Sequence, residues 1–154
     1  TQGALVSELF PLAALITPNL DEAGWLLGRG IKEVQQLQAD ADALLALGAQ
    51  AVLLKGGHLP GDWVVDMLAL PSGAHHRLES ARIATRNGHG TGCTLSSAIA
   101  AYLALGEPLV AAVRAAREYI LGAMAAGADV ATGRGHGPLN HGHAPVAQRV
   151  VRVD

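Results

Sequence analysis

The 154-residue chain is long enough for one compact domain, and because 50% of it is hydrophobic but only 3% aromatic, its core must be built from Leu, Val, Ile and Ala. A net charge of −2 excludes a basic field for nucleic acid or an anionic membrane, and a single cysteine excludes an internal disulfide framework. No apolar run has the length of a membrane span, and the opening TQGALVSELFPLAAL lacks the basic flank of a signal peptide, so the expected setting is the reducing cytoplasm.

In chain order, residues 4–10 read as the tail of a helix ended by Pro11. LAALIT (12–17), bounded by prolines, has the pattern of a buried parallel strand. In PNLDEAGWLLG, Asn19 or Asp21 can cap a short helix that Gly28 closes. IKEVQQLQADADALLALG (31–48) places Val34, Leu37, Ala41, Leu44, Leu45 and Leu47 roughly on one face, with Gly48 as C-cap. AVLLK (51–55) reads as a second buried strand running into Gly56-Gly57. DWVVDMLAL and RLESARIAT flank PSGA and read as an antiparallel hairpin, or as two strands with a loose turn. A glycine loop follows, then a helix over 91–105 with Gly106 as C-cap, then a helix with Pro108 in its first turn. The Gly- and His-rich end reads as mostly loop. The order is that of an α/β fold, short of strands for a complete sheet.

NGHGTGCTLSSAIAAYLALG (87–106) concentrates the chemistry. A helix N-terminus offers free N–H groups and a partial positive charge to anions, and Gly88, Gly90 and Gly92 let the backbone approach a ligand closely. Neither the Walker A pattern nor the dinucleotide fingerprint fits, so the glycines alone are equally consistent with a plain turn before a core helix. Cys93 lies in the first helical turn, where a thiolate is favoured and a cysteine can serve as base or nucleophile; the bland alternative is a small buried hydrophobe.

GHGTGCTLSSAIAA is similar to THGTGCTLSAAIAA, the signature of the hydroxymethylpyrimidine/phosphomethylpyrimidine kinases of thiamin biosynthesis, members of the ribokinase-like family. PLAALITPNLDEAGWLLG, AVLLKGGHLPGD, ARIATRN and GHGPLNH resemble the same family in the same order, from about Pro11 to His141. One departure is Gly88, where the family usually has Thr. The resemblance implies a three-layer α/β/α sandwich and an ATP-dependent phosphotransferase acting on 4-amino-5-hydroxymethyl-2-methylpyrimidine and its monophosphate. Pyridoxal kinase is the nearest enzymatic alternative, and a non-enzymatic nucleotide-binding fragment the other. It also implies that the chain is the C-terminal, nucleotide- and magnesium-binding portion of a single domain (1–154). The N-terminal portion, with most of the pyrimidine pocket, is then missing, and the chain is expected to be inactive alone, needing that half or a homodimer partner.

By the same resemblance, Gly90, Thr91 and Gly92 donate backbone N–H groups to the γ-phosphate of ATP, and Cys93 accepts or orients the proton of the attacking hydroxyl. Asn19 and Glu22, with the N-x-x-E spacing of ribokinase-like enzymes, are expected at Mg2+; a helix cap plus a solvated carboxylate is the alternative. Lys55, at the end of a buried strand, is expected to balance triphosphate charge, or else to snorkel to solvent. His136, His141 and His143 match no standard zinc spacing. GHGPLNH is expected to be a structural segment on the nucleotide side, His89 to order the loop through a hydrogen bond, and His58 to face the mouth of the site.

Overall fold

The computed structural model describes residues 1–131 and 133–147. Two compact units are distinguished, Thr1–Arg82 and Ile83–Asp154.

The first unit opens with α1 (Gln2–Ala4), a wide helical turn over Leu5–Leu9 and a tight one over Phe10–Leu12. The helical path therefore continues through Pro11 instead of ending at it. Proline opens the last, tight turn, where its missing N–H costs nothing. Val6 and Phe10 face the core. Helix α2 (Leu20–Leu27) starts at Asn19 and closes at Gly28, whose φ of 67° is the left-handed conformation glycine adopts without a Cβ penalty. The long helix expected over 31–48 is shorter: a tight turn at Val34–Gln36 leads into α3 (Leu37–Leu45), which buries Leu37, Ala41 and Leu44.

The sheet contains β1 (Val52–Lys55), β2 (Trp63–Ala69) and β3 (His75–Ala81), in that order and antiparallel throughout. The register pairs Lys55 with Asp66 and Ala69 with His75. The hairpin expected around PSGA is present, closed by Leu70 N–H to Ala74 O and Gly73 N–H to Leu70 O, both 3.0 Å. Helices α2 and α3 cover the face carrying Val52, Leu54, Val65, Met67 and Ala69, and these side chains join Phe10, Leu20, Leu37 and Leu44 in one core.

LAALIT does not become a full strand. The chain from Ile16 to Asn19 runs parallel to β1, with Ile16 N–H to Ala51 O, Leu53 N–H to Ile16 O and Lys55 N–H to Pro18 O, at 2.9–3.0 Å. The next rung would need an N–H at Pro18, which proline lacks, so the ladder reduces to two isolated bridges. The parallel direction was correctly expected; the strand length was not, and Leu12 is 81% exposed.

In the second unit α4 (Thr91–Ala104) packs against α5 (Leu109–Gly127). Buried residues on α5 recur at helical spacing: Ala112, Val113, Ala116, Ile120, Ala123 and Gly127. Four of these six are Ala or Gly, and α4 contributes buried Leu95 and Ile99 to the contact. Apolar EYILGAMAAG, within α5, thus fills core. Gly106 has φ 88° just past α4, and Pro108 caps α5. Among the described residues no helix is long and apolar enough to cross a membrane.

Candidate active site

In the first unit the structure brings Asn19, Glu22 and Lys55 to neighbouring positions. Asn19 and Lys55 form one of the two bridges between the 16–19 segment and β1. Asn19 and Glu22 form a reciprocal capping box: Glu22 N–H donates to Asn19 Oδ1 (2.9 Å) and Asn19 N–H to Glu22 Oε2 (2.7 Å). Helix capping is therefore the observed role of both side chains. Glu22 is exposed, and its second carboxylate oxygen has no protein partner among the described residues. That oxygen and the remaining lone pair of Asn19 Oδ1 are hard donors of the kind magnesium takes. Among the described residues no group of three His, Cys, Asp or Glu could form an all-protein cage. The donors present thus fit an ion held by one or two side chains and completed by water and phosphate.

Lys55 ends β1 and is followed by a glycine that cannot be replaced without distortion. A Cβ on Gly56 would run into the Val65 carbonyl oxygen. Gly56 N–H donates to Oδ1 of buried Asp66 at 2.9 Å, so the chain leaves the strand along one fixed path. Arg82, just past β3, holds the following loop from outside: its guanidinium donates to the carbonyls of Gly57 (2.9 Å), Leu59 and Gly61 (2.7 Å), and its N–H to Asp62 O (2.7 Å). His58 is exposed, its Nδ1 3.6 Å from Asp21 Oδ2.

In the second unit the glycine loop opens α4 as expected. Gly90 is the N-cap with φ 85°, a conformation that strains any side chain. Thr91 closes the loop on itself, N–H and Oγ1 both donating to Gly88 O, and Thr94 N–H donates to Gly90 O (2.8 Å). The amides of Gly92 and Cys93 have no protein acceptor among the described residues. They are the free donors that an α-helix leaves at its start. Cys93 is exposed and not part of the core, which removes the bland alternative of a buried small hydrophobe.

The GHGPLNH segment lines up beside the loop. His89 and Pro138 form a parallel bridge, Thr94 Oγ1 lies 3.0 Å from His141 Nε2, and Tyr119 OH donates to His141 O (2.9 Å). His89 thus orders the loop through its backbone. The remaining histidines are engaged separately, His136 Nδ1 3.2 Å from Arg86 O and the His143 ring against Tyr119.

Sequence reasoning missed Asn87 and Arg82. Asn87 stands directly before the glycine-rich turn, where loops need side chains to satisfy backbone groups, and that signal was available in NGHG. Arg82 instead bonds a loop 21–25 residues earlier in the chain, and nothing local in LESAR signals it.

Residues 1–140 match the family model described as phosphomethylpyrimidine kinase. The chain is 48% identical over 142 residues to the hydroxymethylpyrimidine/phosphomethylpyrimidine kinase of Rhizobium meliloti, an alignment covering 92% of this chain and 53% of that protein. Its fold is similar to the ADP complex of Bacillus subtilis pyridoxal kinase (TM-score 0.84, 38% identity, 92% of this chain and 53% of that one). It is likewise similar to Staphylococcus aureus pyridoxal kinase in complex with AMP-PCP and pyridoxal (TM-score 0.83, 30% identity, 92% and 52%). The chain spans about half the length of the curated relatives it matches.

Proposed function

The chain belongs to the phosphomethylpyrimidine kinase family, with a ribokinase-like α/β fold, and on that premise we propose that it carries the nucleotide- and magnesium-binding functions of an ATP-dependent phosphotransferase. The acceptor is the hydroxymethyl group of 4-amino-5-hydroxymethyl-2-methylpyrimidine, and then the phosphate of its monophosphate. The observation that carries the reading is the pair of unpaired amides at Gly92 and Cys93, behind a left-handed Gly90 and beside an exposed thiol.

Phosphoryl transfer depends mostly on alignment and on charge stabilisation that is already in place. The N–H groups of Gly90, Thr91 and Gly92, with that of Cys93, hold the terminal phosphate. Thr91 has its N–H on Gly88 O at 3.3 Å, a long bond that an anion can replace. Cys93 Sγ accepts or orients the proton of the attacking hydroxyl. Lys55 supplies positive charge toward the triphosphate. Asn19 Oδ1 and Glu22 are the donors for Mg2+, which when bound neutralises phosphate charge.

Sequence identity to the Rhizobium meliloti enzyme favours the pyrimidine over pyridoxal, whereas the fold has higher TM-scores against pyridoxal kinases (0.84 and 0.83) than against the phosphomethylpyrimidine kinase of Clostridium difficile (0.65). The test is ATP-dependent phosphorylation by the intact gene product with the two substrates side by side. Preferential phosphorylation of the pyrimidine supports the proposal. Preference for pyridoxal moves the assignment to the alternative kinase, and nucleotide binding without transfer to either moves it to a binding protein.

A further inference from the structure

We infer that Asn87 is the positioning residue of the glycine loop, setting the direction of the Gly92 and Cys93 amides by tying the base of the loop to the end of α5. The inference rests on the phosphate-binding reading above.

Asn87 is 7% exposed and its side chain bonds to two separate stretches of chain, the end of α5 and the segment at Gly137. Its Nδ2 donates to Gly127 O and to Val130 O, both 2.7 Å, and its Oδ1 accepts from Gly137 N–H at 3.1 Å. The two carbonyls lie at and just beyond the end of α5, where helical carbonyls lack intrahelical partners. Thr85 completes the junction: its Oγ1 donates to Ala128 O and accepts from Asn87 N–H, each at 3.0 Å. A side chain arriving from the approach to α4 thus caps the far end of α5.

The fit is tight. A Cβ on Gly137 would stand 2.5 Å from Asn87 Cγ and 3.0 Å from Nδ2. Only glycine at 137 lets the GHG backbone close over the amide, and the His89–Pro138 bridge continues that contact, two residues beyond Asn87 and one beyond Gly137. The loop is therefore held at Asn87 on one side and at Thr91 and Thr94 on the other, with only Gly88, His89 and Gly90 between. Two of those three residues are glycines, and glycine has the greatest conformational freedom. On that side the Asn87 amide makes the most side-chain bonds, supported by Thr85 Oγ1 on the Asn87 N–H and by the His89–Pro138 bridge.

The test uses the intact gene product with Cys93 as the probe, its alkylation read by peptide mass spectrometry. Two quantities are measured for wild type, Asn87→Leu and Asn87→Asp: the rate of Cys93 alkylation by iodoacetamide without nucleotide, and the affinity for MgATP by calorimetry. Leu keeps the volume and branching without hydrogen bonds; Asp keeps one acceptor and loses both donors. Both variants are expected to change the nucleotide-free alkylation rate and to weaken MgATP binding at least about tenfold, at temperatures where circular dichroism shows them folded. A purely structural role would lower the melting temperature and leave both quantities unchanged below the transition, which would overturn the inference. If neither variant folds, Gly137→Ala displaces the same amide from the opposite side and must give the same pattern. Wild-type protein that fails to bind MgATP overturns the phosphate-site reading. In that case an unchanged alkylation rate in the variants overturns the role of Asn87 as well, and a changed rate sustains it.

Discussion

Gly56 and Gly57 are adjacent and look interchangeable, yet the structure assigns them opposite tolerances. A methyl group on Gly56 would overlap the Val65 carbonyl oxygen and lie 3.2 Å from its carbon and 3.4 Å from Leu37 Cδ1. The obstacle is strand backbone paired in the sheet, so it cannot rotate away. Overpacking of this kind costs about 1–3 kcal/mol. Moving Gly56 also pulls its N–H from Oδ1 of buried Asp66, a further penalty of about 1–3 kcal/mol. Gly56→Ala should therefore destabilise the protein by about 2–6 kcal/mol, a large part of the roughly 5–15 kcal/mol a domain possesses. At Gly57 a Cβ would touch only Val64 Cγ1 at 3.9 Å, an ordinary contact. Gly57→Ala should be neutral or stabilising by up to about 1 kcal/mol, because alanine narrows the unfolded ensemble. Urea unfolding followed by circular dichroism measures both. Equal midpoints for the two variants, or a Gly56→Ala loss below about 1 kcal/mol, would refute the claim that this turn is sterically fixed.

Other expected outcomes concern the remaining contacts around the site. Glu22→Gln keeps an N3 side chain able to complete the capping box, so stability should stay within about 0.5 kcal/mol of wild type. The magnesium concentration needed for half-maximal nucleotide binding should rise roughly tenfold, equivalent to about 1.4 kcal/mol, as measured by calorimetry across a magnesium series. Asn19→Ala should instead cost about 0.5–2 kcal/mol of stability through loss of the cap, read by the same urea titration. Arg82→Ala removes the donors to Gly57, Leu59 and Gly61, and limited proteolysis should show faster cleavage within residues 57–62. For Gly88→Thr, the residue usual in the family, the added Cβ meets only Thr91 Oγ1 at 3.8 Å, and stability measured by urea unfolding should stay within about 0.5 kcal/mol of wild type.

The punctuation of the fold was legible in the sequence because glycine, proline and capping residues act locally. Asn19 and Gly28 bound α2, the turn around Gly73 closes the hairpin, and Gly90 opens α4 where the pattern places it. Prolines misled in both directions. Pro11 was read as a terminator yet sits inside a tight turn, and Pro18 was read as a boundary yet lies within the parallel pairing it thins out. What a side chain does across long sequence separations was not legible. Asp40 is buried on α3, within an otherwise apolar face, and pairs with Arg29 from the preceding loop. Asn87 meets chain 40–50 residues away, and no local periodicity encodes such a partner. At the site, the glycine loop opening α4 was readable, whereas the exposure of Cys93 and the capping duty of Asn19 and Glu22 were each one of two open readings until the structure was seen.

The proposed phosphotransferase requires that the opening amides of α4 receive a nucleotide's phosphate. Titrating MgATP into 15N-labelled protein and following the backbone resonances of Gly90, Thr91, Gly92 and Cys93 addresses it directly. These four are expected to shift together and saturate, with Gly92 and Cys93 moving most because their N–H groups have no protein acceptor among the described residues to leave. Saturable binding that leaves all four resonances in place would contradict it.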